Sequence, residues 1–323
     1  PRSEGADMTA SSAAVARARA ERWRLFLGRT RGFGRRYAGR TDGVIGLAIL
    51  VLFAGLALAP ELFVGPLQTA TTATGDPFGA PSAAHLLGTD ELGRDMLNLT
   101  VHGARISMTI GLLATVITIV VGVLVGIVAG YVGGIVDSIL MRISDFFLVL
   151  PTFVLALILA PVILEIVGDD AEVLGIRATL MVIIVVIGLT SWATTARIIR
   201  SQVLSLKERM FVDRARAIGA GPARIMRRHI LPNVVNLIVA QAVLTFAAAV
   251  FTETTLSFVG LGDPFAPSWG EILDSAQVSG APGLGAWWYI APPAVCVVLV
   301  VLAFTLVGNA LDDILNPKLS GRR

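Results

Sequence analysis

Apolar residues in this chain run in long blocks uninterrupted by charge. Stretches without Asp, Glu, Lys or Arg occupy 43–60, 106–136, 146–164, 178–196, 229–252 and 275–311, with lengths of 18, 31, 19, 19, 24 and 37 residues. A membrane-spanning helix needs about 20 predominantly apolar residues. The two longest blocks exceed one span, but 106–136 ends in Gly-rich sequence around Tyr131, and 275–311 opens on a polar Gly/Pro/Ala segment before Trp287. The pattern predicts an all-α integral membrane fold with six transmembrane helices.

Finer features fall inside this frame. Gly122, Gly126 and Gly130 form a small-residue ridge along the second span, of the kind that lets helices approach closely in lipid. An amphipathic piece, 135–150, leads to the third span and is closed by Pro151; on its polar side Arg142 and Asp145 are three residues apart, the spacing of an intrahelical ion pair. Segment 61–105 is polar and punctuated by Thr, Gly and Pro between Thr69 and Ser82.

The chain of 323 residues is 55% hydrophobic and only 15% charged, against about 25% charged in soluble domains. That excludes a soluble domain, a disordered chain and a disulfide scaffold; the single cysteine, Cys296, lies in an apolar run. Positive charge concentrates on the cytoplasmic side of membrane proteins. With the N-terminus inside, segments 1–42, 130–145, 197–233 and 311–323 carry 10, 1, 9 and 3 Lys plus Arg, leaving Arg94, Arg105 and Arg177 outside. Both termini are therefore expected in the cytoplasm.

This divides the chain into a basic N-terminal segment (1–42), a first span with its external loop (43–105), a five-helix core (106–311) and a C-terminal tail (312–323). Within 1–42, arginines alternate with Trp23, Phe26 and Phe33, which suits either an interfacial helix on anionic lipid or a plain basic tail. A basic segment beside a span already has a membrane explanation, so nucleic acid is not expected as a partner. Met8 is a candidate native start. Ala57-Leu58-Ala59 resembles a signal cleavage site and Arg35-Arg36 a twin-arginine pair, but five further spans favour a retained first helix.

The longest inner connection, within 201–233, is the most informative. Ser205-Leu206-Lys207-Glu208 has the form of a capping box. A helix of about 13 residues is expected from there to Ile218, with Gly219 as its C-terminal cap and Pro222 opening a second short helix. The first helix carries six charges and an apolar side of Leu206, Met210, Phe211, Ala217 and Ile218. Such a helix either docks into a groove of another protein or lies on lipid headgroups.

The run Phe211-Val212-Asp213-Arg214-Ala215-Arg216-Ala217-Ile218-Gly219-Ala220, followed by His229-Ile230-Leu231-Pro232-Asn233, resembles the EAA loop of ABC importer permeases. Gly219, Leu231 and Pro232 fall at the family spacings. Asp213 stands for the Glu, Arg214 replaces the first Ala, Ala215 matches the second, and His229 replaces an Ile. The runs His85 to Asp95, Gly103 to Ser107, Ala129-Gly130-Tyr131, Leu256 to Gly262 and Pro267-Ser268-Trp269-Gly270 are similar to dipeptide/oligopeptide permeases of the C-subunit type. The likeness extends from about residue 85 to Pro317. It implies the type I ABC importer permease fold, a second homologous permease of the B type, separate ATPase subunits holding ATP and Mg2+, and an extracytoplasmic substrate-binding protein. It further implies that Asp213, Arg214, Ala215, Arg216, Ala217 and Gly219 couple the ATPases to the spans, and that substrate arrives at loops 61–105 and 260–285.

A phosphate-cradling P-loop needs Gly-x-x-x-x-Gly-Lys-Ser/Thr, and neither Lys207 nor Lys318 stands in that setting. His85, His102 and His229 lie outside the span centres, and Gly188-Leu189-Thr190-Ser191-Trp192 lacks nucleophile-elbow spacing. No catalytic residue, cofactor or metal is therefore expected in this chain; Asp169-Asp170 with Glu165 and Glu172 suggest a solvated loop or a weak cation site. Glu253, near the outer end of span five, is a candidate outer-gate or pathway residue, or else reaches the interface or pairs with Arg94 or Arg105. Within the importer reading, peptides compete with nickel complexes and glutathione as cargo. A secondary transporter would need ionisable residues near the midplane, which the span centres lack.

Overall fold

In the computed structural model, residues 37–168, 172, 173 and 176–315 are described; the interfacial-helix segment before Tyr37, Met8, Arg35-Arg36, Asp169-Asp170 and the tail beyond 315 lie outside them. The described chain is helical: α1 (Thr41–Leu58), α2 (Glu61–Val64), α3 (Met96–Val132), α4 (Gly134–Val149) and α5 (Thr152–Val167) come first. A two-residue hairpin, β1 (Glu172–Val173) with β2 (Ile176–Arg177), leads to α6 (Ala178–Lys207), α7 (Met210–Ala217), α8 (Pro222–Ile225), α9 (Leu231–Leu256), α10 (Trp269–Val278) and α11 (Trp287–Leu315).

Five helical stretches are long and apolar enough to cross a membrane, and α4 with α5, bent by 92°, supplies a sixth if the pair is one span. The bend lies where Pro151 forces its predecessor out of the helical region: Leu150 is extended at φ −81°, ψ 129°. Neighbours along the chain alternate in direction. Gly43 meets Ala310 and Gly46 meets Ala303, so α1 and α11 are antiparallel, as are α9 and α11, where Phe246 stacks on Phe304. The start of α1 and the end of α11 thus share one end of the bundle, the end where α7 lies.

The glycine ridge joins the two central helices. A Cβ on Gly122 would sit 2.6 Å from Thr195 Cβ, one on Gly126 2.6 Å from the Ala196 carbonyl oxygen, and one on Gly130 2.8 Å from Val203 Cβ. Gly188 reciprocates against Ile117. Only hydrogen side chains let α3 and α6 run parallel at this distance, which strengthens dispersion contacts where lipid offers no hydrophobic drive.

Three expectations are corrected. First, α3 begins at Met96, ten residues before its uncharged block, because Asp95 caps it by accepting from the amides of Leu97 (2.7 Å) and Asn98 (3.1 Å). Second, Arg142 does not pair with Asp145. Asp145 binds Arg197, and Asp137 binds Arg200 through two contacts of 2.5 and 2.6 Å, so both aspartates clamp α4 to α6. Third, the capping box does not form. Ser205 stays inside α6, whose Val203 and Leu206 are drawn into the core, and α7 starts only at Met210 with no side-chain cap from Arg209. The inner helix is accordingly eight residues long.

Candidate functional site

Three structures stand along the bundle from the end that carries α7 to the opposite end. The first is α7. Its Val212 and Ala215 are buried in a cluster with Ile199, Val203, Ile225 and Ile230, whereas Met210 and Ile218 are 70% and 85% exposed. Asp213, Arg214, Arg216 and Ala217 face outward, while Ala215 faces the core and Leu206 is buried rather than part of the exposed apolar side. The helix ends as the glycine foretells: Gly219 has φ +82°, its amide donates to Arg216 O (2.9 Å), and the Ala220 amide donates to Ala215 O (3.0 Å). That pair of bonds is a Schellman cap, which needs a left-handed residue at its hinge.

The chain then turns straight into the next span. Pro222 stands at the first position of α8, and a π turn over Met226–Ile230 carries the helix into α9. Pro232 has no amide to donate, so the helix is already irregular where it enters, and the wider turn accommodates it. Leu231 and Pro232 thus set the junction between α7 and α9. Arg216 lies over the Tyr131 ring at the end of α3, 5.7 Å from its centroid, and Phe211 lies 6.4 Å from the His229 ring. The segment is held to two spans at once.

The second structure is a groove of about 260 Å³ between α3, α6 and α9, open on one side. Its walls carry Thr118, Ser191, Thr194, Thr195, Gln241 and Thr245, with Thr152 and Thr252 at its margins and no charged residue among its lining. Sequence reasoning missed it, although the signal is present: Ser191, Thr194 and Thr195 recur at i, i+3, i+4, and Gln241 and Thr245 at i, i+4.

The third lies at the end of the bundle opposite α7. Glu253 is fully buried. Its carboxylate accepts from Ser257 Oγ (3.0 Å) and lies beside the hydroxyls of Thr254, Ser268 and Ser107. Those two serines in turn accept the amides of Glu271 (3.2 Å) and Trp269 (3.1 Å), which open α10. The carboxylate therefore sits in a knot where α3, α9 and the N-terminus of α10 meet, and the helix dipole there favours an anion. It pairs with neither Arg94 nor Arg105: Arg94 binds Asp90 within its own loop (2.5 Å), and Arg105 of α3 binds Glu61 at the start of α2 (2.7 Å).

The sequence runs around this knot have structural reasons. Trp269 is fully buried, donates its indole N–H to Thr100 O (3.0 Å) and meets Phe53 edge-on at 5.6 Å. Gly270 sits against the Thr254 carbonyl, where a Cβ would not fit. In the loop before α3, Asp90 accepts the amides of Leu92 (2.9 Å) and Arg94 (2.7 Å), and His85 Nδ1 lies 2.9 Å from Asp95 Oδ2. The loop is thus built onto the first turn of α3. Among the described residues, no group of three or more His, Cys, Asp or Glu is placed to hold a metal.

Residues 122–321 match the family described as the binding-protein-dependent transport system inner membrane component. The chain is 39% identical over 290 residues to the dipeptide transport system permease protein DppC of Bacillus subtilis, covering 88% of this chain and 84% of that one. It is 35% identical over 287 residues to the oligopeptide transport system permease protein OppC of the same organism, covering 88% of each. Identity to the di/tripeptide transport system permease protein DppC of Pseudomonas aeruginosa is 37% over 238 residues, covering 73% of each. With the bundle of apolar spans and the looped-out inner helix already in place, these matches establish that the chain belongs to the family of inner membrane components of binding-protein-dependent transport systems.

Proposed function

We propose that this chain is the permease subunit of an ATP-driven importer of di- or oligopeptides. It pairs with a second homologous permease of the B type to enclose the passage, and ATPase subunits carrying ATP and Mg2+ bind at α7. An extracytoplasmic binding protein delivers substrate to loops 61–105 and 260–285. The chain itself hydrolyses nothing. It lies in the cell membrane with both ends cytoplasmic, the orientation favoured by the 23 Lys and Arg on the inner segments.

The observation that carries this reading is α7. It is a short capped helix whose one face is buried on α3, α6 and α9, while Met210, Ala217 and Ile218 project outward. A helix held rigidly at its base with an apolar outer face suits a groove on a partner, and a push on it is passed directly to Tyr131 and Leu231. The names of the relatives support peptides as cargo.

The test is recovery of the chain from native membranes in mild detergent, with mass spectrometry of its companions and crosslinking through Ala217→Cys in a Cys296→Ser background. A second permease and ATPase chains, with the crosslink landing on an ATPase, are expected. A homo-oligomer without an ATPase, even after crosslinking, would overturn the reading.

A further inference from the structure

The groove between α3, α6 and α9 holds polar groups whose hydrogen-bonding capacity is unspent, beside Thr118 and Thr252, which donate to the carbonyls of Gly188 (3.2 Å) and Ala248 (2.8 Å). Elsewhere in the spans, Thr115, Thr190, Thr254, Thr255 and Thr305 donate to the carbonyl four residues earlier, at 2.7–2.9 Å, and so satisfy themselves within their own helix. Gln241, Ser191, Thr194 and Thr195 make no side-chain hydrogen bond among the described residues, and all four line the groove. Gln241 alone brings two donors and an acceptor.

Unpaired amides and hydroxyls facing hydrocarbon cost free energy with nothing in return, so this wall faces water or a solute. It also holds no ionisable side chain. A wall of hydroxyls and one amide offers both donors and acceptors, the complement of a peptide main chain. It presents no fixed charge to attract or repel charged side chains.

We propose that this groove is a main-chain-reading subsite of the passage, with Gln241 and Thr194 as residues that contact the amide groups of a passing peptide and leave its side-chain charge unread. The inference rests on the peptide-importer reading and adds to it the chemistry by which the membrane part accepts many sequences. Selection by charge is then left to other parts of the transporter. A carboxylate placed in the groove would impose charge selection, because a charge held between low-dielectric walls of a narrow passage is weakly screened.

The experiment uses the complete transporter with its partner permease, ATPases and binding protein in proteoliposomes. Uptake is measured for three tripeptides, one of alanine alone, one with a central lysine and one with a central glutamate. Each variant's rate is divided by the wild-type rate for the same peptide, which removes the binding protein's own preferences. For Gln241→Glu, and independently for Thr194→Asp at its exposed position, the ratio for the acidic peptide is expected to fall about tenfold below the ratio for the basic one. Gln241→Leu is expected to lower all three ratios alike. Equal ratios for the three peptides in both acidic variants would overturn the inference while leaving the importer reading standing. Loss of the partner permease from the purified Gln241→Glu complex would also overturn it, by assigning the groove to helix packing. Failure of the wild-type transporter to take up any of the three would overturn the peptide reading and this inference together.

Discussion

The Arg216 guanidinium rests over the ring of Tyr131, 5.7 Å from its centroid, and so ties the outward face of α7 to the last turn of α3. The same guanidinium reaches Asp213 at 3.2 Å. α3 in turn is packed against α6 along its glycine ridge, so a displacement of α7 is delivered to a rigid pair of helices, not to a loose loop. Contacts of this exposed kind contribute only about 0.5–1 kcal/mol.

Arg216→Ala is therefore expected to leave the fold and subunit composition intact while lowering peptide uptake several-fold at unchanged binding-protein affinity. Tyr131→Leu should do the same, and the double variant should be no worse than either alone, since both remove one contact. Additive losses in a double-mutant cycle of uptake rates would show that the two residues act separately.

Two glycines flanking the end of α7 give a matched comparison. Gly219 has φ +82° and Gly221 has φ −69°, and a Cβ on either would meet nothing within 4 Å. Any penalty at Gly219 is then backbone strain alone. Gly219→Ala is expected to cost about 1 kcal/mol and lower the thermal midpoint in detergent, whereas Gly221→Ala should be neutral or slightly stabilising. Equal midpoints for the two variants would refute the Schellman cap.

Much of this architecture is legible in the sequence because lipid imposes simple rules. The uncharged blocks mark the spans, Pro151 marks the bend, Gly219 the end of α7, and Gly122, Gly126 and Gly130 the tightest helix contact. What the sequence conceals depends on neighbours. Ser205 has the local pattern of a cap but remains helical because Val203 and Leu206 are buried on either side of it. The short helix α10 carries Trp269, Gly270, Ile272 and Ala276 on its buried face, a short periodicity lost among the acidic residues around it. The groove is hidden because Thr and Ser are tolerated in any apolar span by bonding to their own helix, so only the structure distinguishes those that do not.

Glu253 is expected to act through the knot it forms. Glu253→Gln keeps the shape but turns one of two acceptor oxygens into an NH2 donor facing the hydroxyls of Ser257, Ser107 and Ser268, which weakens the anionic centre they gather around. Loosening α10 in this way should impair uptake more than assembly, with subunit recovery near wild type and uptake reduced about tenfold. Proportionate loss of both would reduce Glu253 to a folding element without a role at the outer gate.

At the end of the bundle opposite α7, Glu271 in the first turn of α10 supplies a pH dependence that can be read directly. Burial pushes its carboxyl up to about 7, opposed by the Ser275 hydroxyl, which donates to Oε1 at 3.0 Å, and by the charge of Arg94, and reinforced by Asp274 and Glu91. Unfolded, the group ionises near 4.5. Between those values the folded protein holds a proton that the unfolded chain has released, so stability falls as pH rises from about 4.5 to about 7 and then levels off. After allowance for partial solvent access the effect is on the order of 1–2 kcal/mol. The purified protein should therefore have a lower thermal midpoint at pH 8 than at pH 5.5, and Glu271→Gln, which retains an acceptor for Ser275, should raise the midpoint at pH 8 and remove most of the difference. An unchanged slope in the variant would assign the pH dependence to other groups.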